Sequence, residues 1–168
     1  ENRWVYISFA KPIEDTSTTA IIRGRFENDR LSNVVEIFAA PATGFGHYGG
    51  KIAFDDEGYL YLTLGDRQAP SVGVLSEHPA QDPTNHQGVI VRLNDDGSVP
   101  DDNPFVGNYN GYREEIFAYG FRNPWSCFFH NNNLIIPDVG NSHWEEVNIL
   151  NDYGNIAEPY FFGWPWLE

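Results

Sequence analysis

The feature that most constrains this chain is the recurrence of short apolar segments separated by turn residues, with almost no helical period. Aromatic and β-branched residues are concentrated in Trp4–Phe9, Ala20–Phe26 and Val34–Phe38. Short segments of this composition are typical of strands. Residues that favour turns, Glu27–Asp29, separate the last two segments. The sequence therefore predicts an all-β protein.

A pattern of strand, turn and strand then recurs at intervals of a few tens of residues. Lys51–Leu64 is typical of a hairpin, and the glycine of its turn, Asp55–Gly58, supplies a positive φ. Val89–Gly97 repeats the pattern, and Ser126–Ile136 gives a third copy around the turn His130–Asn133. Blades of a β-propeller repeat at roughly 40 to 50 residues. At that period the chain holds about four blades at most. A closed ring of four blades is one alternative, but such rings are uncommon, so we expect an incomplete propeller.

Two long connections interrupt this pattern. Arg67–Gln87 is rich in Pro, His and Asp, and Pro100–Arg113 is rich in Asp, Asn, Gly and Tyr. Neither has the composition of a disordered linker, and long loops of this kind usually carry function. We therefore expect residues 1–168 to form a single propeller portion with no internal domain boundary.

The chain is strongly acidic, with 10 Lys and Arg against 24 Asp and Glu and a formal net charge of −14. This charge argues against nucleic acid and anionic membranes as partners, because phosphate binding requires clustered Lys and Arg. Neutral sugars and metal ions are compatible with it. The sequence has no apolar run of about 20 residues, so it predicts no membrane-spanning helix. The single cysteine, Cys127, lies in an apolar run and is interpreted as a small core residue.

A series of short motifs, many of them containing Gly or Asp, lies among the predicted strands. They are Gly46–Lys51, Asp56–Tyr61, Gly65–Asp66, Gly88–Leu93, Asp96–Pro100, Asp102–Phe105, Gly120–Pro124, Asp138–Gly140, Glu145–Asn148 and Gly163–Pro165. In this order and spacing they resemble the soluble quinoprotein glucose and aldose sugar dehydrogenases, also called the glucose/sorbosone dehydrogenase family. Each motif is weak alone, and their combination is specific.

The resemblance implies a six-bladed β-propeller, of which this chain would supply about three to four blades. It also implies pyrroloquinoline quinone (PQQ) and calcium at the top of the central channel, a periplasmic or secreted location, and oxidation of the anomeric carbon of aldose sugars to lactones. In relatives, the later blades carry basic residues that hold the carboxylates of PQQ. Because the net charge here is −14, we expect this chain alone to bind that cofactor poorly.

His47 matches the family's general base, in a glycine-flanked loop before a strand. An imidazole there can take the hydroxyl proton of the sugar as hydride leaves the carbon. The resemblance implies that Asp66 orients this histidine and stabilises its cation. The neighbouring Gly46, Gly49 and Gly50 are expected to allow close approach of the flat quinone ring. Without the resemblance, His47 would be interpreted as a surface histidine and Asp66 as a residue that caps a strand end.

Arg122 and Asn123 match cofactor contacts of the family. A fixed guanidinium aimed at a quinone carbonyl stabilises the negative charge that develops there. Pro124 favours an extended conformation at Asn123, which helps to aim both side chains. The alternative for Arg122 is a surface ion pair with one of the many carboxylates.

The resemblance also implies two calcium sites. The backbone carbonyls of Gly140 and Asn141 match those that hold the calcium that also ligates the quinone, and calcium prefers such hard oxygen ligands. This calcium then acts as a Lewis acid on the quinone carbonyl. Glu146 matches a carboxylate that binds a second, structural calcium.

The remaining histidines match nothing in the family pattern. We expect His78 and His86 to be solvated in the long loop, and His130 and His143 to be solvated as well.

Two other functions remain open at this stage. A propeller-type binding or interaction module that keeps the calcium loop without catalysis would resemble the Hedgehog-interacting protein. A calcium-dependent carbohydrate-binding domain would use some of the 5 Trp and 9 Tyr as sugar-stacking residues. In each case exposed sheet edges would need a second copy, or the remainder of a longer parent chain, to cover them.

Overall fold

The computed structural model describes residues 3–108, 110–154 and 158–166. The regular structure within these ranges consists of short strands and two one-turn 3-10 helices, Leu75–Glu77 and Pro79–Gln81. The strands are β1 (Trp4–Ile13), β2 (Thr16–Glu27), β3 (Arg30–Ala39), β4 (Ile52–Phe54), β5 (Leu60–Leu64), β6 (Val89–Leu93), β7 (Ile116–Tyr119), β8 (Phe128–His130), β9 (Asn133–Asp138), β10 (Glu146–Asn151) and β11 (Tyr160–Phe161). The all-β prediction is confirmed.

The strands form three sheets that follow one another along the chain. The first is antiparallel in the order β1-β2-β3, and the third is antiparallel in the order β10-β9-β8. The central sheet has the order β11-β7-β6-β5-β4, and only β11 pairs in parallel with its neighbour. Tight turns at Asn28–Asp29 and Asn131–Asn132 have positive φ at both residues, which suits the right-handed twist of the hairpins that they close.

One predicted hairpin is wrong. Val89–Leu93 forms a strand, but the turn Asn94–Gly97 leads into a loop, and the next strand begins only at Ile116. Strand β6 instead pairs on one side with β5 and on the other with β7. The reason is that β6 is buried along its whole length and completes its ladder with strands from elsewhere in the chain.

Two hydrophobic clusters hold the three sheets together. Leu62, Leu64 and Val91 pack with Ile21 of the first sheet. On the opposite face of the central sheet, a second cluster joins it to the third sheet through Tyr61, Ile90, Phe117, Cys127, Leu134 and Ile136. Strands β5 and β6 are thus buried on both faces, which explains their continuous apolar character. Cys127 is a core residue as predicted, and burial raises the pKa of its thiol to about 12.

The topology brings four chain segments to one end of the central sheet. Strands β5 and β7 both end there, at Leu64 and Tyr119, and antiparallel β6 begins there. The end of β9 joins them, because Asp138 forms a bridge with Pro124 in the segment that follows β7. The loops that leave this end contain most of the residues to which the sequence assigned chemistry.

No helix in the described residues is both long and apolar enough to cross a membrane.

Candidate active site

His47 is held in an uncommon backbone conformation at the end of the central sheet. Its φ is 46°, in the left-handed region that non-glycine residues occupy at a cost of about 1 to 3 kcal/mol. The carbonyl oxygen of His47 passes so close to Gly65 that a Cβ there would lie 2.2 Å from it. A glycine at position 65 therefore allows the His47 loop to lie directly against the end of β5.

The imidazole of His47 forms a short hydrogen bond with Asp66. Nδ1 lies 2.6 Å from Asp66 Oδ1, and the side chain of His47 is 15% exposed whereas that of Asp66 is 1% exposed. Since the carboxylate accepts at Nδ1, that nitrogen carries the proton and Nε2 is left as the basic nitrogen. This is the geometry in which a buried carboxylate fixes the tautomer of a base.

Three donors hold the Asp66 carboxylate. Besides His47 Nδ1, the backbone N–H of Gln68 donates to Oδ1 at 2.9 Å. Trp164 Nε1 donates to Oδ2 at 3.1 Å, from a residue 98 positions away in sequence. These donors take the place of water for a carboxylate that solvent hardly reaches.

Arg67, which directly follows Asp66 in the chain, fixes the backbone of His47. Its Nη1 donates to the His47 carbonyl at 2.6 Å, and its Nη2 donates to Thr19 Oγ1 at 2.9 Å. The guanidinium also lies over the Tyr48 ring, 4.9 Å from the centroid. Burial lowers the pKa of Arg67 to about 10, which leaves the group charged at neutral pH. The first sheet, the His47 loop and the end of β5 are thereby joined through one side chain.

Asp138 organises the segment that carries Arg122 and Asn123. Its two carboxylate oxygens accept the backbone N–H groups of these residues, at 2.9 Å from Arg122 and 2.6 Å from Asn123. Burial raises the pKa of Asp138 to about 7, with the charges of Glu146 and Asp66 adding to the effect and the two N–H donors opposing it. The backbone at 122–123 is therefore oriented by a carboxylate that the sequence motif contained but to which no role was assigned.

The side chains of Arg122 and Asn123 point to different partners. The amide oxygen of Asn123 accepts the backbone N–H of Gly49 at 3.3 Å, so it supports the His47 loop. The guanidinium of Arg122 donates to the carbonyls of Val139 at 3.1 Å and Gly140 at 3.0 Å. It also lies 5.5 Å from the centroid of the Trp164 ring. The alternative role of Arg122 as a surface ion pair with a carboxylate does not match these contacts.

The residues assigned to calcium lie beside Arg122. Gly140 and Asn141 follow β9, and Arg122 Nη2 approaches the side-chain oxygen of Asn141 at 3.5 Å. Gly140 is also held by its N–H, which donates to Glu145 Oε2 at 3.1 Å. Glu146 begins β10 and pairs in register with Asp138 on β9.

A cleft of about 250 Å³ connects these groups. His47 and Arg122 both line it, with Asn141 and Trp164 beside them and the segment Gln68–Ser71 along one rim. The cleft is smaller than the roughly 300 to 1,000 Å³ of complete small-molecule sites. It thus corresponds to one wall of a site rather than to a closed pocket.

The structure also corrects two sequence interpretations. His78 and His86 are buried, 5% and 1% exposed, instead of solvated. His78 packs against Trp164 with its Nδ1 accepting the N–H of Ala80, while His86 Nε2 lies 2.7 Å from Glu115 Oε1. The long loop folds back onto the sheet. Its polar composition therefore predicted, wrongly, that these two histidines are exposed to solvent. His130 and His143 are exposed, as predicted.

One of the three glycines near His47 is needed for a reason other than the one predicted. A Cβ on Gly49 would lie 2.6 Å from the Thr63 carbonyl, and one on Gly46 would lie 2.5 Å from the Gln68 side chain. Close packing against the backbone therefore requires glycine at position 49, whereas at position 46 a Cβ would displace only the end of the Gln68 side chain.

Comparison with known proteins agrees with the family resemblance that the sequence motifs indicated. The family model described as "Glucose / Sorbosone dehydrogenase" matches residues 1–168. Aldose sugar dehydrogenase YliI of Escherichia coli (strain K12) is 34% identical over 174 residues, which cover 98% of this chain and 43% of that protein.

Solved structures share the fold. A structure titled "glucose dehydrogenase" superposes with a TM-score of 0.82 at 37% identity, covering 98% of this chain and 46% of that one. The PQQ-bound form of aldose sugar dehydrogenase from Streptomyces coelicolor has a TM-score of 0.76 at 23% identity, covering 100% and 45% respectively, and supports the fold alone. The three sheets are thus part of a β-propeller of this type, as predicted, and the chain spans less than half the length of these relatives.

Proposed function

Because this chain belongs to the glucose/sorbosone dehydrogenase family, we propose that it provides the base-bearing wall of a PQQ-dependent sugar dehydrogenase. The proposed reaction oxidises the anomeric carbon of an aldose to a lactone. The observation that carries the proposal is the cleft that is lined both by His47, which Asp66 holds, and by Arg122. When bound, PQQ supplies the hydride acceptor and calcium supplies a Lewis acid at its carbonyl.

His47 removes the proton in this proposal. The hydroxyl on the anomeric carbon loses its proton to Nε2 as the carbon loses hydride, and the carbon becomes a carbonyl. Nε2 is the available nitrogen because Nδ1 is held by Asp66 at 2.6 Å. Asp66 then stabilises the imidazolium that forms, and its 1% exposure keeps water from weakening that interaction.

Arg122 provides positive charge in the cleft that His47 also lines. Its guanidinium lies at the cleft wall, where it can stabilise negative charge that develops on the acceptor side of the reaction. Asp138 holds the backbone from which it projects. Asn123 acts on the other side, by holding Gly49 and so the loop that carries His47.

The residues of the cleft fit PQQ in part. The Trp164 ring offers a flat surface and Arg122 offers one cation. Among the described residues that line the cleft, Arg122 is the only Lys or Arg, whereas PQQ carries three carboxylates. Tight binding of PQQ therefore requires cations from outside this chain, in agreement with the expectation from its net charge of −14.

The oxygen atoms near Gly140 fit calcium in their chemical type. Carbonyl and amide oxygens are the ligands that calcium prefers, and the carbonyls of Val139 and Gly140 lie together with the Asn141 side chain. However, the Arg122 guanidinium now occupies these oxygens, so calcium binding at Gly140 requires that side chain to turn away. Within residues 3–108, 110–154 and 158–166, no three His, Cys, Asp or Glu side chains converge on a metal site. The role of Glu146 in a second calcium site remains a prediction.

The rest of the active site is proposed to come from additional propeller blades, on a longer parent chain or on a second copy. Val147 and Ile149 on β10 are 65% and 51% exposed, which leaves an apolar strand at the side of the third sheet. A periplasmic or secreted location remains a prediction that rests on the family alone.

The test is cofactor-dependent turnover. The purified chain is incubated with PQQ and calcium, and reduction of an artificial dye is followed with glucose and other aldoses. We expect weak turnover that His47→Gln lowers by about 10³-fold, because the base is lost while a side chain of similar size remains. His130→Gln is the matched control, since His130 is an exposed residue at the end of β8 and does not line the cleft. Absence of PQQ uptake by the intact chain, even at PQQ concentrations high enough to saturate weak binding, would overturn the proposal and favour the binding module without catalysis.

A further inference from the structure

Trp164 contacts both halves of the cleft from a segment distant in sequence. Its side chain is buried, at 5% exposure, and its Nε1 donates to Asp66 Oδ2 at 3.1 Å. Its ring also lies beneath the Arg122 guanidinium, within the distance of a cation–π interaction. No other described side chain contacts both of these groups through the contacts given above.

We propose that Trp164 is a positioning residue that fixes the Asp66 carboxylate and, through it, the ring of His47. The inference rests on the proposed function for its catalytic meaning, because it treats His47 as the base. It adds a residue that acts on the base only through Asp66, by donating a hydrogen bond to the oxygen that His47 does not use.

The backbone of Trp164 is anchored in a way that makes its indole a rigid donor. Its N–H donates to the Gly120 carbonyl at 2.9 Å, and its carbonyl accepts the side-chain amide of Gln81. Gly120 directly precedes the segment that bears Arg122. The indole N–H is therefore held in a fixed position relative to the end of β7 and the long loop.

A second donor near Asp66 explains why the indole is needed. His78 Nδ1 accepts the N–H of Ala80, so its Nε2 carries the hydrogen, which points to the Ala69 carbonyl at 3.3 Å. The same Nε2 lies only 3.7 Å from Asp66 Oδ2. Without Trp164 Nε1, Oδ2 would be an unsatisfied buried acceptor, and rotation of the carboxylate toward His78 would satisfy it. That rotation would draw Oδ1 away from His47.

The first test is proton NMR of the chain without cofactor. The Nδ1–H of a histidine that is strongly bonded to a carboxylate gives a downfield resonance, and its loss in His47→Gln assigns it. In Trp164→Phe, which keeps a ring and removes the donor, we expect this resonance to move upfield and broaden. Trp166→Phe is the matched control, because Trp166 lies in the same turn and is 52% exposed. An unchanged His47 resonance in folded Trp164→Phe would overturn the inference.

Asp66→Asn keeps the test decisive if Trp164→Phe fails to fold, and a double variant extends the test if Trp164→Phe folds. In Asp66→Asn, the indole N–H resonance of Trp164 is expected to shift and exchange faster with solvent while that of Trp166 stays in place. In the double variant Trp164→Phe with His78→Phe, the competing donor is removed, and the His47 resonance is expected to return toward its original position. A Trp164 indole signal that ignores Asp66→Asn would contradict the hydrogen bond on which the inference depends.

Kinetics separate this inference from the proposed function. With PQQ and calcium, Trp164→Phe is expected to lower kcat about five- to tenfold and to change KM less than twofold, because the base is misplaced and the sugar contacts are retained. A rise in KM of about five- to tenfold with unchanged kcat would mean that Trp164 binds substrate instead. If the chain without substitutions shows no turnover but the NMR effects occur, the proposed function fails and the positioning contact stands.

Discussion

Among the described residues, two short histidine–carboxylate hydrogen bonds of nearly equal length lie in different surroundings. His47 Nδ1 lies 2.6 Å from Asp66, and His86 Nε2 lies 2.7 Å from Glu115. In the first pair the carboxylate is 1% exposed and the imidazole 15% exposed. In the second pair the imidazole is 1% exposed and the carboxylate 19% exposed. The two hydrogen bonds are alike in length. The imidazole is the more exposed partner in the first pair, whereas the carboxylate is the more exposed partner in the second.

This reversal distinguishes the pair proposed to be catalytic from the pair that is buried in the fold. A general base must reach its substrate with a free nitrogen, and His47 lines a cleft. His86 presents Nδ1 to the interior, where it has no hydrogen-bond partner among the described residues, and packs against Phe38. A proton taken up at that nitrogen would be buried without an acceptor. Access, and not hydrogen-bond length, therefore identifies the candidate base.

The largest expected effect breaks the first pair at its carboxylate. In the proposed enzyme, Asp66→Asn should lower kcat by about 10²-fold or more, because His47 loses the acceptor that fixes its tautomer. Dye reduction with PQQ, calcium and an aldose measures it. The matching variant Glu115→Gln should keep kcat within about twofold. Equal losses in the two variants would mean that both pairs act in structure only.

A second prediction compares the two histidines by their effect on stability instead of activity. His86→Ala should lower the free energy of unfolding by about 2 to 4 kcal/mol, because it opens a cavity beside Phe38 and leaves Glu115 without its partner. His47→Ala should cost less, about 1 kcal/mol, since that side chain faces a cleft from which water can replace its hydrogen bond to Asp66. Urea unfolding followed by tryptophan fluorescence gives both values. A smaller loss for His86→Ala than for His47→Ala would contradict the comparison.

Chemical modification tests access directly. Diethyl pyrocarbonate reacts with neutral imidazole that solvent can reach, so His47 should be modified at least about tenfold faster than His86. Peptide mapping by mass spectrometry measures the rate at each histidine. The exposed His130 provides the upper reference and buried His78 a second lower one. Comparable rates for His47 and His86 would show that the cleft does not expose His47.

Local sequence pattern sufficed for the strands that are held by neighbouring chain. The hairpins around Asn28 and Asn131 follow from turn residues between apolar runs, and the buried strands β5 and β6 follow from continuous apolar character. Strand β11 has only two residues and pairs in parallel with β7, some 40 positions earlier. Its existence depends on a distant partner, so no local pattern predicts it.

The candidate site divides in the same way. The resemblance to the family, and not residue type or spacing alone, indicated His47, Asp66 and Arg122, and the structure brings all three to one end of the central sheet. Trp164 and Arg67 were not assigned a role, because their contacts with Asp66 and His47 depend on how loops fold over the sheet. His78 and His86 were interpreted wrongly for the same reason. Composition indicates that a loop is polar, but it does not indicate which of its polar groups become buried.

The smallest expected effect is on the pH dependence of the unfolding free energy, and it concerns only the His86–Glu115 pair. Burial alone would raise the pKa of Glu115, but the hydrogen bond from His86, with its backbone contacts and the charges nearby, brings the pKa below the ordinary 4.5. A carboxyl whose pKa is lower in the folded state stabilises the protein above pH 4.5, and this contribution is lost as pH falls through the lowered value. Glu115→Gln should therefore flatten the decline in unfolding free energy between about pH 5 and pH 3 by less than about 1 kcal/mol. Glu114→Gln is the matched control, because Glu114 is the exposed neighbour and lacks the histidine partner. If both variants flatten the curve equally, net charge rather than the His86–Glu115 bond causes the acid sensitivity, and the second pair loses its assigned structural role.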